Sequence, residues 1–136
     1  MHHLHGVNLV AVAVCAVLIW IIGALWYSPL LFARQWVAIV GRQMGEKPKG
    51  VYKGMIASLL GDFLLCFVLG HILHWTHSDT WQRGLHIAIL LWVAFFVAPL
   101  YPQTVYEGRP FRYFAINAGY WLVGLLAVSA ILAVWH

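Results

Sequence analysis

Charged residues are scarce in this chain. Only 9% of its 136 residues are Asp, Glu, Lys or Arg, against about a quarter in an ordinary soluble domain. Hydrophobic residues make up 63%, more than a core of this size could hide from water. This composition excludes a disordered chain and a solvated nucleic-acid-binding domain, and it indicates a membrane protein.

Cysteine is also scarce, since the chain contains only Cys15 and Cys66. Two cysteines exclude a disulfide-rich secreted module. Both lie inside apolar stretches, and neither belongs to a CxxC or a Cys/His metal-binding spacing. We therefore expect two small, buried and unpaired side chains.

Four stretches are long and apolar enough to cross a bilayer, which takes about 20 helical residues. They cover residues 7–27, 54–75, 81–106 and 113–135. The apolar run that contains the first stretch is too long for the core of a signal peptide. Backbone groups cannot stay unpaired in hydrocarbon, so each stretch must be a helix. Short connections make neighbouring helices antiparallel, and the sequence predicts an all-α up-down bundle of four spans in a single domain, residues 1–136.

A basic amphipathic helix is predicted after the first span, at about residues 29–44. Ser28 and Pro29 suit the N-cap and the first turn of a new helix. Four large apolar side chains would share one face, namely Phe32, Trp36, Val40 and Met44. The other face would carry Arg34, Gln35, Ala38 and Arg42, of which two are basic. Such a helix suits the membrane surface.

The third span carries two local signals. Asp79 and Gln82 resemble a capping box at its start. Pro99 and Pro102 are three residues apart near its other end, where they predict a kink and freed carbonyl groups.

The basic residues predict the orientation of the chain in the membrane. Seven of the eight Lys and Arg lie in the loops between spans one and two and between spans three and four, whereas Arg83 alone lies on the other side. The positive-inside rule puts both basic loops in the cytoplasm. We therefore expect a multi-pass protein with its N- and C-termini outside.

Two segments carry a family resemblance. GALWYSPLLFARQW (23–36) and YEGRPFRYFAINAGYWLVGLLAVSAILA (106–133) resemble the opening and closing signatures of the bacterial domain-of-unknown-function family 1761. Their order and spacing match across nearly the whole chain, whereas residues 45–80 match only in hydropathy. The resemblance implies a small four-span membrane protein. It implies no activity, because none is established for the family. For a bacterial chain with this orientation, we expect the cytoplasmic (inner) membrane as its location.

Asp62 is a candidate functional residue because an ionisable side chain inside a span is costly. Polar residues of the other spans fall in the same half of the bilayer, namely Tyr27, Gln103, Asn117 and Tyr120. One interpretation is a polar cavity open to the cytoplasm, in which Asp62 binds a proton or a cation. The other is a hydrogen-bonded core, in which Asn117 or Tyr120 holds Asp62 and makes helix packing specific.

Histidine is concentrated on one side of the predicted topology. All eight fall on the outer side: His2, His3, His5, His71, His74, His77, His86 and His136. His71 and His74 share a helix face, and His86 begins the next helix at a similar height. These three could bind zinc or copper, or His71 and His86 could be axial ligands of a haem or pigment. Alternatively, the imidazoles simply favour the headgroup level. We therefore predict no cofactor. A metal ion or a pigment bound by these histidines is the alternative.

Aromatic and basic side chains near the ends of the spans are expected to anchor the protein in the lipid interface. The set comprises Trp26, Arg34, Trp36, Arg42, Trp75 and Trp81.

The sequence contains no nucleophile–base pair, phosphate-binding glycine loop or carboxylate dyad, so we expect no enzyme. The hypothesis that we prefer is a non-catalytic accessory or scaffolding subunit of a larger membrane complex. Its partners would be the lipid bilayer and other membrane subunits or itself, and not nucleic acid. One alternative is a small proton, cation or solute carrier or sensor built around Asp62, and another is a metal- or pigment-binding subunit that uses the outer histidines.

Overall fold

The computed structural model describes residues 3–4, 7–27, 38–39 and 51–135. Four apolar helical segments long enough to cross a membrane confirm the predicted four-span all-α architecture. The predicted amphipathic helix at 29–44, with Arg34, Trp36 and Arg42, lies outside the described residues except for residues 38 and 39, which are helical.

The first span, α1 (Leu9–Trp26), begins two residues later than predicted. Asn8 caps it, because its side-chain Oδ1 accepts hydrogen bonds from the backbone N–H groups of Val10 and Ala11 at 3.0 and 3.3 Å. An Asn in this position satisfies donors that the first helical turn leaves unpaired. The side-chain cap therefore determines where α1 starts.

Two short strands, which were not predicted from the sequence, precede α1. β1 (His3–Leu4) and β2 (Val7–Asn8) pair antiparallel. Val7 is buried against Gly70 of the second span, where an added Cβ would lie 2.9 Å from Val7 Cγ1. The lack of a side chain at Gly70 thus lets the strand pair rest on the helix bundle.

The second span, α2 (Val51–Trp75), ends in a turn that involves a strained residue. The N–H of Ser78 bonds to the carbonyl of Leu73 at 2.9 Å, and the N–H of His77 bonds to the carbonyl of His74 at 3.2 Å. This is the Schellman pattern, which usually has glycine at the left-handed position. His77 takes that position with φ of 53°, at a cost of about 1–2 kcal/mol for a side chain with a Cβ.

The third span starts at Trp81, and the capping box predicted from Asp79 and Gln82 is wrong. Helix α3 (Trp81–Trp92) is capped by Thr80, whose Oγ1 accepts from the N–H of Arg83 at 3.3 Å. The cap lies one residue later than predicted because Thr80, and not Asp79, is the last extended residue before the helix.

A wide turn interrupts the third span. Helix α3 passes into a π-helical turn (Val93–Val97) and then into α4 (Ala98–Tyr106). Pro99 lies in the first turn of α4 and Pro102 inside it. In a regular α-helix, a proline ring clashes with the carbonyl group four residues earlier. A π-helical turn pairs its backbone groups five residues apart, so that carbonyl group moves from its α-helical position. The two prolines thus explain why the irregular turn lies directly before α4.

The fourth span, α5 (Phe111–Val134), is the central helix. It packs against all three other spans, whereas the third span packs chiefly against α5. In the most apolar 18 residues of each span, 44% are buried in α5 but only 11% in the third span. The alternating chain direction puts Leu9, Trp75, Trp81 and Val134 at one end of the bundle, which we call the terminal end. We call the opposite end the loop end.

Two glycines allow the helices to approach α5 closely. An added Cβ at Gly84 would lie 2.6 Å from the backbone oxygen of Ser129, and one at Gly124 would lie 2.8 Å from Ile19 Cδ1. Small residues at such contacts let transmembrane backbones pack tightly. These two positions therefore set the distances from α5 to α3 and to α1.

Gly84→Ala is expected to lower the free energy of unfolding by about 1–3 kcal/mol, the usual cost of overpacking. The added methyl group would meet backbone atoms of α5, so the two helices must move apart. Gly61→Ala is the matched control, because nothing lies within 4 Å of a Cβ there. Denaturant titration in detergent micelles measures both, and an equal effect of the two substitutions would contradict the packing argument.

Candidate functional site

Asp62 lies near the middle of α2 and faces the protein interior. Its side chain is only 3% exposed. Within the described part of the chain, its Oδ2 has no hydrogen-bond partner. An unpaired polar oxygen in an apolar environment is costly, and ionisable residues inside spans commonly serve ion or proton binding. Asp62 is therefore the centre of the first candidate site.

Tyr120 of α5 interacts electrostatically with Asp62. The carboxyl group is within electrostatic range of the Tyr120 hydroxyl and of Cys66, one helical turn further along α2. The Tyr120 hydroxyl donates a hydrogen bond to the carbonyl oxygen of Ile19 at 3.1 Å. It also lies against Gly23, where an added Cβ would come within 3.0 Å of it. The phenol ring thus crosses from α5 to α1 within electrostatic range of the carboxyl group.

Tyr27 and Asn117 form the next part of this polar cluster. The Tyr27 hydroxyl donates to Asn117 Oδ1 at 2.6 Å, and the rings of Tyr27 and Tyr120 meet edge to face with centroids 5.8 Å apart. The two partners predicted for Asp62 therefore bond to other groups and do not donate to its Oδ2. The cluster runs from Asp62 through Tyr120 towards the loop end.

Gln103 takes a different position from the rest of the predicted cluster. Its side chain is exposed, and its Nε2 lies 3.5 Å from Glu107 Oε2. Gln103 and Asn117 line the same small cavity of about 50 Å³ between α4 and α5. Among the described residues, Gln103 thus pairs with Glu107 and shares a cavity with Asn117 of this cluster.

Tryptophan side chains of α1 and α3 form hydrogen bonds with the backbone of α5. Trp26 Nε1 donates to the carbonyl oxygen of Ile116 at 2.9 Å, and Trp92 Nε1 donates to that of Ala118 at 2.8 Å. An indole N–H in hydrocarbon needs an acceptor because no water is present. Trp26, predicted as a lipid anchor, is thus half-buried against α5, whereas Trp75 and Trp81 are exposed at the terminal end.

Cys15 and Cys66 are both free and fully buried, as predicted from the sequence. They occupy core positions of α1 and α2 and behave as small apolar side chains.

The three histidines considered as metal ligands are not brought together. His71 Nδ1 lies 2.8 Å from the carbonyl oxygen of Phe67, which only accepts hydrogen bonds, so this nitrogen carries the proton. Its ring packs edge-on against Phe67 and Trp75. His74 and His86 are exposed. Among the residues that the structure describes, no three His, Cys, Asp or Glu side chains are close enough to share a metal ion.

A second candidate site lies at the terminal end and includes His74, one of the three histidines considered as metal ligands. A cavity of about 370 Å³, which we call the terminal cavity, opens between β2, the end of α2, the following turn and the end of α5. It is lined by Val7, Asn8, Gly70, Leu73, His74, His77, Ser78, Asp79, Leu132, Ala133 and Trp135. The available signal was the accumulation of His and Asp79 at one end, but the strand pair and the turn that enclose the cavity were not predicted.

These features define a multi-pass, four-span membrane protein with a polar cluster inside the bundle. The chain belongs to a family of proteins of unknown function, DUF1761, which matches residues 10–133. This match confirms the resemblance carried by segments 23–36 and 106–133. No curated protein and no solved structure matches the chain.

Tyr120→Phe is expected to lower the free energy of unfolding by about 0.6–1 kcal/mol, the usual contribution of a hydrogen bond inside a membrane protein. The change removes the bond to Ile19 O and leaves the ring in place. Tyr106→Phe is the control, because Tyr106 is 90% exposed. Both are measured by denaturant titration in the same micelles, and equal stability of the Tyr120 variant and the wild type would show that this bond contributes nothing.

Proposed function

We propose that this protein is a non-catalytic accessory or scaffolding subunit that binds other membrane-protein subunits inside the bilayer, and not nucleic acid. The observation that carries the proposal is the exposure of the third span, of which only 11% is buried against the rest of the protein. This span packs chiefly on α5. Its opposite side offers a long apolar surface to a partner helix.

An apolar groove beside the third span supports this proposal. The groove has a volume of about 170 Å³ and lies between α2 and the π-helical turn, with α5 as its floor. Its lining is entirely apolar: Leu65, Val68, Leu69, Ile72, Leu91, Phe95, Phe96 and Leu125. Phe95 is 68% exposed. Association of transmembrane helices depends on close van der Waals packing, and a groove with aromatic and branched walls favours such packing with an inserted side chain.

The proposed location is the cytoplasmic (inner) membrane of a bacterium, with both termini outside. The described basic residues support this orientation, because Lys53, Arg109 and Arg112 belong to the loop end and Arg83 to the terminal end. Under the positive-inside rule, the loop end faces the cytoplasm.

Extraction of the protein from its own membrane into polymer-bounded lipid discs, followed by native mass spectrometry, tests the accessory role. We expect additional protein mass on the wild type. Val68→Phe should abolish it, because the larger ring fills the groove. Val105→Phe is the control, since Val105 is exposed on α4 and does not line the groove. A wild-type chain that carries only lipid would contradict the proposal, as would a Val68 variant that keeps its partner.

Asp62 favours a second candidate function, a small proton, cation or solute carrier or sensor. The unpaired Oδ2 can accept a proton or contact a cation, and either would remove the cost of the buried oxygen. Tyr120, Tyr27 and Asn117 continue from Asp62 towards the loop end. These hydrogen-bonding groups offer a polar connection between Asp62 and that side of the membrane.

Asp62→Asn is expected to reduce proton flux in proteoliposomes to the rate of protein-free vesicles, because the amide cannot ionise. An internal pH-sensitive dye follows the decay of an imposed pH gradient. Asp62→Glu should retain part of the flux, and Glu107→Gln, which removes an acidic group at the loop end, should retain all of it. Equal rates for the wild type and the Asp62→Asn variant would eliminate proton transport by Asp62.

A further inference from the structure

The terminal cavity has the size and position of a binding site for a small polar group at the membrane surface. Its volume of about 370 Å³ falls in the range of about 300–1,000 Å³ that is typical of small-molecule sites. It lies at the end of the bundle where Trp75 and Trp81 are exposed, the level at which tryptophan meets lipid headgroups. Its floor is apolar and its rim is polar, so an amphiphilic ligand fits it best.

The rim offers hydrogen-bond acceptors on one side. Thr76 Oγ1 donates to the carbonyl of Ile72 at 2.8 Å and lies 2.8 Å from Ser78 Oγ. Because Thr76 has one hydroxyl proton, Ser78 donates to Thr76 and keeps its lone pairs as acceptors. Ser78 is only 5% exposed, and the neighbouring Asp79 adds a carboxylate. This pair favours a cationic group that carries N–H donors.

The rim also offers hydrogen-bond donors. Asn8 uses its Oδ1 to cap α1, which leaves its amide N–H groups as donors. His74 and His77 belong to the same lining, and an imidazole ring carries at least one N–H group. Amide and imidazole N–H groups suit an anionic oxygen such as that of a phosphate. The cavity thus combines groups for a cation with groups for an anion.

The backbone of His77 is an observation independent of the cavity volume. His77 occupies the left-handed position of the turn, with φ of 53°, where glycine is favoured. His77 is also one of the residues that line the terminal cavity. A strained residue that presents a functional side chain to a cavity is typical of ligand sites.

We propose that the terminal cavity binds the headgroup of a zwitterionic phospholipid that carries a primary amine. The ammonium group would donate to Asp79 and Ser78, and the phosphate would accept from Asn8 and His77. The glycerol and the first chain carbons would lie over the apolar floor at Leu73. A quaternary choline has no N–H to donate, so the acceptors discriminate between these two headgroups.

The test uses the full-length protein in micelles that contain phosphatidylethanolamine, phosphatidylcholine and phosphatidylglycerol with identical acyl chains and in equal amounts. Native mass spectrometry measures the bound lipid. We expect phosphatidylethanolamine to dominate on the wild type and Asp79→Asn to abolish the preference. Glu107→Gln removes one carboxylate at the opposite end of the bundle and should keep it.

His77→Gly separates binding from folding. Glycine relieves the left-handed strain, so thermal unfolding should occur at the same temperature as in the wild type or higher, while phosphatidylethanolamine retention falls. Equal adducts of the three lipids, a preference for phosphatidylglycerol, or an unchanged preference in the Asp79 variant would each overturn the proposal. None of these results bears on partner subunits at the apolar groove or on Asp62, because both lie outside this cavity.

Discussion

Polar side-chain donors in the hydrocarbon layer must find hydrogen-bond acceptors within the protein. The packing of the helices depends on the backbone carbonyl groups that accept these hydrogen bonds. Trp26 and Trp92 donate to backbone carbonyl groups two residues apart on α5, and Tyr120 of α5 donates back to α1. Because no water competes for these groups, each bond also fixes the height and rotation of one helix against another. Gly84 and Gly124 bring the backbones close enough for these contacts.

One central helix has consequences for the rest of the molecule. Since α5 holds both α1 and the third span, the third span remains exposed along most of its surface, and a groove opens between it and α2. The same packing buries Asp62 of α2 inside the bundle and leaves its Oδ2 unpaired in the described chain. The open apolar groove and the buried carboxyl group therefore arise from the same arrangement.

The candidate sites were accessible to sequence reasoning to different degrees. Asp62 stood out because a charge interrupts an apolar span, and Tyr120 could be placed near it by depth alone. The depth of each residue in the membrane did not reveal which hydrogen bonds these side chains form, because the bonds depend on the rotation of each helix about its axis. The terminal cavity was missed because its walls come from the strand pair before α1 and from the left-handed turn at His77, two features with weak sequence signals. A histidine in a position that favours glycine does not suggest such a turn.

By itself, the sequence determined that the chain has four membrane-spanning helices. The apolar runs are long enough to cross a bilayer, and unpaired backbone groups in hydrocarbon cost so much that each run must be helical. It also carried the family match over residues 10–133. Only the tertiary structure decided which faces meet protein and which meet lipid. In a soluble helix the apolar stripe marks the buried face, but here lipid and core are equally apolar, so no such stripe exists. The rotations follow instead from glycine contacts and from hydrogen bonds between distant residues, which no local pattern reveals.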